Sequence, residues 1–466
     1  MNTKKILLLT GLLITHISFV IASLDDITGQ WNGVLSVPGV NLRIVFHIQK
    51  TETGYAATMD SPDQNAAGIP VTTTTFDGSK LVLELPGIVY EGAFKTDSIA
   101  GTFKQGGMAL PLVMKRTQAE TKPLVRPQTP KPPFPYRSEE VTFPNKSAGI
   151  TLAGTLTLPE KGNNFTAVIL ITGSGPHNRD EEILGHKPFL VIADYLTRNG
   201  IAVLRYDDRG MAKSTGIFAT STTADFATDT ESAIEFLKTR KEVNPRKIGL
   251  IGHSEGGIIA PMVAARSKDI SFIVLLAGSG VRGDSLLLLQ NELLARAAGM
   301  PEDKIARGRK LNTIIYNKIV SAKENVSIQE ITALFAQIKN DLAEFKPEGM
   351  ADDDFIRMNV AATANPWTQF FLRYDPAPAL EKVKCPVLAV NGSKDLQVPA
   401  NVNLAAINTA LKKGGNKAVT VKEYPNLNHL FQECTTGLST EYETIEQTFS
   451  PTVLKDLTKW IITILK

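Results

Sequence analysis

The chain has 466 residues, of which 43% are hydrophobic, and a formal net charge of +3. Such a length exceeds one ordinary domain and such an apolar content excludes a disordered protein, so two or three folded units are expected. The near-neutral charge argues against nucleic acid as a partner, and the two cysteines provide neither a disulfide framework nor metal-ligand spacing.

Lys4 and Lys5 precede an apolar run, Ile6 to Ile21, which is followed by the small residues Ala22 and Ser23. This is the layout of an export signal spanning residues 1–22, and the run is short for a membrane span. Cleavage after Ala22 removes two lysines and takes the charge from +3 to 3 − 2 = +1. No second apolar stretch approaches spanning length. The mature protein is therefore expected in the periplasm or secreted, soluble or at most tethered, with no membrane span. In that oxidising setting Cys385 and Cys434 could form one disulfide, although their positions do not demand it.

Over residues 24–117, "GQWNGVLSV", "LRIVFHIQ" and "LVLELP" alternate apolar with polar residues. Thr53-Gly54, Asp77-Gly78 and Gly106-Gly107 punctuate them as turns. A small antiparallel β domain, sandwich or barrel, is expected. Residues 118–137 then form a proline-rich connector, with prolines at 123, 127, 130, 132, 133 and 135. Proline at that density cannot build helix or inner strand.

From residue 138 to 466 the rhythm changes. "AVILIT" (167–172), "IAVLRY" (201–206), "KIGLIG" (247–252), "SFIVLLAG" (271–278), "CPVLAVNG" (385–392) and "AVTVKEY" (418–424) are strand-like, and helical spacing at Phe189–Arg198 and Thr223–Thr239 lies between them. Apolar strands alternating with helices predict a mostly parallel sheet covered on both faces. Residues 283–375 break the pattern with helical segments alone, which predicts a helical cap over the strand ends.

"GHSEGG" (252–257) follows the apolar run Ile248 to Ile251 and precedes "GIIAPMVAAR". Strand, tight turn and helix would hold Ser254 in a strained conformation at the carboxyl edge of the sheet, with Gly252 and Gly256 leaving room for close backbone approach. Pro261 predicts a kink or a first turn stabilised in another way. A serine hydroxyl needs a base. Of six histidines, His16 leaves with the export signal, His47 lies in the β domain, His253 should point away from its neighbour, and His177 and His186 belong to the loop after "AVILIT". His429, in "YPNLNHLFQ" beyond the last strand, remains. Asp395 in "NGSKDLQVP" is the expected carboxylate partner; Asp207 and Asp208 are rivals expected to cap a turn or pair with Arg209. The oxyanion of acyl transfer needs N–H donors. Glu255, after the nucleophile, is one; Ser174 or Gly175 in the Gly173-Ser174-Gly175-Pro176 loop is the other. The Glu255 side chain is open to two readings, a structural hydrogen bond or a bias against anionic substrates.

Ser254, Asp395 and His429 follow the chain order of α/β hydrolases. With "ITGSGPHNRDEEILGHKPFLVIADYLTRNGIAVLRYDDRGMAKSTG", "GLIGHSEGG" and "PVLAVNGSKDLQVP", residues 138–466 resemble that superfamily, and more narrowly the exported bacterial serine carboxylesterases of the EstD type. The resemblance implies cofactor-free hydrolysis of carboxylic esters, often with short acyl chains, on a small-molecule substrate. It matches Ser254, Asp395 and His429 to nucleophile, acid and base, and 173–175 to the oxyanion loop. The β domain resembles the lipocalin-like extensions of some such enzymes. An exopeptidase or amidase with the same triad is the alternative; an acyl thioesterase is less expected outside the cytoplasm, where CoA esters are scarce. A ligand-binding protein on a hydrolase scaffold is the reading from another class, and an intact triad argues against it.

Overall fold

The structure, a computed structural model, describes residues 27–465 except 38–39, 52–53, 65, 106–107, 117–124 and 347–349. The expected export signal, Thr53 and the Gly106-Gly107 turn lie outside the described residues, as does the connector up to residue 124.

Nine antiparallel strands form the first sheet: β1 (Gly29–Val37), β2 (Val40–Thr51), β3 (Gly54–Ser61), β4 (Ala66–Pro70), β5 (Thr73–Phe76), β6 (Lys80–Leu85), β7 (Ile88–Lys95), β8 (Ser98–Gln105) and β9 (Met108–Arg116). Their order, β4-β3-β2-β1-β9-β8-β7-β6-β5, makes a single curled meander open between β4 and β5 instead of two stacked sheets. Period-two patterning decides which face is buried: Trp31 and Leu35 of β1 point inward while Val34 is exposed. At the β5–β6 turn, Asp77 Oδ1 accepts from the amides of Ser79 and Lys80 at 2.8 and 2.7 Å, and Gly78 takes φ +94°. The acceptor side chain and the glycine are what such a turn requires.

The second sheet contains β10 (Tyr136–Asn145), β11 (Ile150–Pro159), β12 (Phe165–Ile171), β13 (Ala202–Tyr206), β14 (Val243–His253), β15 (Ile270–Leu276), β16 (Val387–Gly392) and β17 (Val419–Tyr424), in the order β10-β11-β13-β12-β14-β15-β16-β17. Strands β12 to β17 are mutually parallel, and β10 and β11 form an antiparallel edge. That edge hairpin was not among the strands expected from apolar runs, because β10 is half exposed and reads as polar. Helices α1 (Pro188–Arg198), α2 (Thr223–Lys238) and α3 (Gly256–Ala264) pack on the faces. The α/β-hydrolase fold expected from the sequence is therefore present, with an all-β sheet preceding it.

Between β15 and β16 lie α4 (Gly283–Ala297), α5 (Glu302–Val320), α6 (Ile328–Gln337), α7 (Lys339–Leu342), α8 (Asp352–Ala364), α9 (Pro366–Arg373) and α10 (Ala377–Leu380). Helix α11 (Ala400–Lys413) follows β16, and α12 (Pro451–Ile464) follows β17. Two apolar clusters cover the faces of the parallel sheet, one around Ile169, Leu204 and Leu250 and one around Leu170, Ile251 and Val274. Each such fully buried aliphatic side chain contributes about 1.5–3 kcal/mol. A third cluster runs from Trp31, Phe46 and Tyr90 of the first sheet into Ile319, Phe335 and Met358 of the cap, with α8 against β9. The nine-stranded sheet thus buries its interior partly against the cap. Pro261 does not end the helix: α3 continues through it as one nine-residue helix.

Candidate active site

β14 is apolar and buried along its second half, and it ends at His253. Ser254 follows with φ +51°, a conformation that non-glycine residues seldom adopt, and its amide donates to Leu276 O at 2.8 Å. The tightness of the turn is measurable at its glycines. A Cβ on Gly252 would lie 1.9 Å from the carbonyl oxygen of Gly256, and one on Gly256 would lie 2.2 Å from that of Ile171. Only glycine fits either place, and the turn lifts the serine hydroxyl off the sheet edge.

The other residues converge from neighbouring strand ends. Asp395 follows β16 and His429 follows β17; both are buried, and His429 Nδ1 lies 2.8 Å from Asp395 Oδ2. A carboxylate only accepts, so Nδ1 carries a proton, and in the neutral imidazole the lone pair is on Nε2. The other carboxylate oxygen accepts from the amides of Gln397 and Val398, each at 2.8 Å. These bonds orient Asp395 before any substrate arrives. The loop bearing His429 is fixed by Asn428, whose side-chain oxygen accepts from the amides of Leu430 and Gln432. Farther along, Arg126 of the connector donates to the carbonyls of Leu184, Tyr442, Glu443 and Ile445, and the amides of Thr448 and Phe449 donate to Gln128. The connector is therefore bonded to the histidine loop.

No hydrogen bond joins Ser254 Oγ to His429 Nε2 among the described residues. Bonds of this kind often tighten only when substrate binds. A cavity of about 50 Å³ adjoins the serine, lined by Ser174, Ser254 and Glu255 below and by Leu286, Trp367 and Phe371 of α4 and α9 above. Among the described residues, the amides of Ser174 and Glu255 have no protein acceptor. Gly173 N–H, by contrast, donates to Glu181 Oε1 at 2.7 Å. Gly175, the other expected donor, has φ +107° and does not line the cavity.

Glu255 is buried; its Oε1 accepts from Thr223 Oγ1 at 2.6 Å and from Trp367 Nε1 of the cap at 2.7 Å, while Oε2 has no partner. Burial pushes the Glu255 carboxyl up to about 7, against the two hydrogen bonds, which lower it. The side chain thus makes the structural hydrogen bond that was one of its two readings.

The rival aspartates are occupied elsewhere. Asp207 pairs with Arg179 at 2.7 Å, and Asp208 accepts from Thr172 Oγ1 and the amide of His177. Both accept loop amides, one of their two expected roles, whereas the Arg209 guanidinium reaches across to Asp229 on α2 at 2.7 Å instead of to either of them. His47 pairs with Asp60, and His186 is buried against Thr448 and Tyr442. Cys385 and Cys434 are both free thiols. No cluster of His, Cys, Asp or Glu suited to a metal occurs among the described residues. Sequence reasoning missed Glu181, Thr223 and Trp367, which come from distant segments without a motif.

A strained serine between strand and helix, with a buried Asp–His pair following later strands of the same mostly parallel sheet, defines the α/β-hydrolase class. Residues 187–433, more than half of the chain, match the family described as serine aminopeptidase, S33, and the chain belongs to that family. It is similar to the esterase EstD of Thermotoga maritima, 25% identical over 312 residues, covering 67% of this chain and 65% of EstD. It is also similar to the uncharacterized protein YfhR of Escherichia coli K12, 31% identical over 125 residues, covering 27% of this chain and 41% of YfhR. The chain thus spans just under two thirds of the esterase and less than half of YfhR. Among solved structures, the Pyrococcus furiosus esterase PF2001 shares 17% identity at a TM-score of 0.41, over 72% of this chain and 92% of that one. Est1E of Butyrivibrio proteoclasticus with bound ferulic acid shares 17% at 0.40, over 70% and 97%.

Proposed function

We propose that the protein is a serine hydrolase that cleaves carboxylic esters through an acyl-enzyme on Ser254. The observation that carries this reading is the buried His429 Nδ1–Asp395 bond at the ends of the same sheet that presents the strained serine; with Nδ1 committed to Asp395, the neutral imidazole has Nε2 as its basic nitrogen. In the proposed cycle, Ser254 Oγ attacks the ester carbonyl carbon as its proton passes to His429 Nε2. The amides of Glu255 and Ser174 hold the oxyanion; the cavity lining supports Ser174 over Gly175 as the second donor. The C–O bond to the alcohol then breaks, and the alcohol leaves with the proton from His429. Water, deprotonated by the same nitrogen, attacks the acyl carbon, and the carboxylic acid departs as Ser254 regains its proton. The small roofed cavity supports short acyl chains, and the charged and apolar layout of residues 4–23 supports export. EstD is named an esterase, in agreement with this reading.

An exopeptidase or amidase is the second reading, favoured by the family's description as serine aminopeptidase. Turnover of p-nitrophenyl esters from acetate to palmitate, beside aminoacyl p-nitroanilides, separates the two. Ester hydrolysis that declines with chain length and vanishes in Ser254→Ala is expected. Anilide cleavage without comparable ester turnover would replace the esterase reading with the peptidase one.

A further inference from the structure

His253, immediately before the nucleophile, does not leave the site by pointing away from Ser254. Its ring centroid lies 4.8 Å from that of His429. Nε2 lies 3.0 Å from the main-chain oxygen of His429, and Nδ1 lies 2.9 Å from Glu181 Oε1. That same carboxyl oxygen accepts the amide of Gly173, the residue before Ser174, at 2.7 Å. Both side chains are nearly fully buried, 8% exposed for His253 and 5% for Glu181. Glu181 also sits at φ +51°, a strained value for a glutamate, so the surrounding structure holds it there. A Cβ on Gly173 would come within 3.2 Å of Ser254 Cβ and 3.3 Å of Glu181 Oε1, which keeps this loop glycine close against the elbow.

The hydrogen bonds dictate the protonation. A carbonyl oxygen only accepts, so His253 Nε2 must donate. Glu181, held ionised, has oxygens that only accept, so the Nδ1 facing Oε1 at 2.9 Å must donate as well. We propose that Glu181 and His253 are positioning residues, a buried carboxylate–imidazolium pair that ties the oxyanion loop to the main chain of the catalytic histidine. This inference rests on the serine-hydrolase reading and deepens it.

The groups around the pair fit this role. Burial opposes the charge on His253, but the adjacent Glu181 carboxylate outweighs it and holds the imidazole above its ordinary range. Glu181 is correspondingly held below the usual carboxylate range despite its burial. The ionisable neighbours are His177 from the same loop as Glu181, Asp208 from the end of β13, and Asp395 and His429 from the ends of β16 and β17. Asp395 is already engaged with His429 Nδ1, so Glu181 is the carboxylate in contact with His253. The pair has two consequences for catalysis. It sets the distance between the loop donor at Ser174 and the imidazole, and through the Nε2 contact at 3.0 Å it holds the main chain of His429 in place.

The test uses the full-length protein. Wild type with 15N-labelled histidine is expected to show one imidazole protonated at both nitrogens at pH 8, the signal being lost in His253→Gln. The variants Glu181→Gln and His253→Gln are expected to lower kcat for p-nitrophenyl acetate by about 10- to 100-fold, the scale of a small misplacement of catalytic groups. KM should stay within about threefold. A neutral His253 at pH 8, or folded variants whose kcat stays within about threefold of wild type, would overturn the pairing role. Variants that do not fold leave the wild-type spectrum to decide. A wild type that neither turns over esters nor labels at Ser254 with a fluorophosphonate overturns the serine-hydrolase reading itself, a result distinct from the other two.

Discussion

Replacing Glu255 by glutamine isolates a titration buried beside the nucleophile. Glutamine keeps the oxygen that accepts from Thr223 and Trp367 and removes the ionisable group. In the folded protein the carboxyl ionises near 7, against an ordinary value of 4.5. Folding therefore takes up a proton between those limits. The contribution to stability is fully present below about 4.5 and is lost as pH rises through about 7. At about 1.4 kcal/mol per pH unit, the wild type should lose about 3 kcal/mol relative to the variant across that window. Denaturant unfolding of both proteins from pH 4 to pH 9 measures the difference, and groups far from residue 255 cancel in it. An unpartnered glutamine N–H₂ adds an offset that does not vary with pH. A difference curve that is flat from pH 4 to 9 would refute the reasoning, because it would mean that Glu255 ionises alike in both states. The same substitution leaves the main-chain amide in place, so ester turnover at neutral pH should change by less than about tenfold, well short of the loss of an oxyanion donor.

Three further outcomes are expected. Asp395→Asn should lower kcat by on the order of 10³- to 10⁴-fold with little change in KM, since the amide no longer selects the Nδ1–H tautomer of His429; steady-state kinetics with a short ester decides. Gly256→Ala places a Cβ 2.2 Å from a backbone oxygen that cannot move aside, so the protein should lose about 3 kcal/mol or more, read as a lower melting temperature. Cys385 and Cys434 should titrate as two thiols in denaturant without reductant, and Cys385 should alkylate slowly when folded because burial pushes its thiol up to about 12.

The alternation in β1 and β2 and the near-continuous valine, isoleucine and leucine of β12, β14 and β15 made both sheets readable from the chain. Residue spacing translates directly into which face is buried. The curl of the first sheet into one open meander was not readable, because closure depends on which strands pair, as β1 does with β9 across more than seventy residues. The edge hairpin β10–β11 carries no apolar run: β10 alternates exposed residues with buried or half-buried ones, and β11, although buried, interleaves its leucines with threonine and glycine.

In the site, elimination among six histidines and three acidic candidates reached His429 and Asp395 because strand ends order the loops along the chain. What each of the other residues does there was decided by folding. Arg209 turns to Asp229, which comes from a helix on another segment, and Glu181 meets His253 across 72 residues. Trp367 crosses from the cap to Glu255. Chain order and local pattern by themselves determined the fold class, the elbow at Ser254 and the order of the candidate triad, since these depend on near neighbours and on strand periodicity. Only the tertiary structure decided which buried charges are paired, how the connector binds the histidine loop and what covers the serine. Those contacts join groups remote in sequence, and their energies depend on burial and distance, which no spacing along the chain encodes.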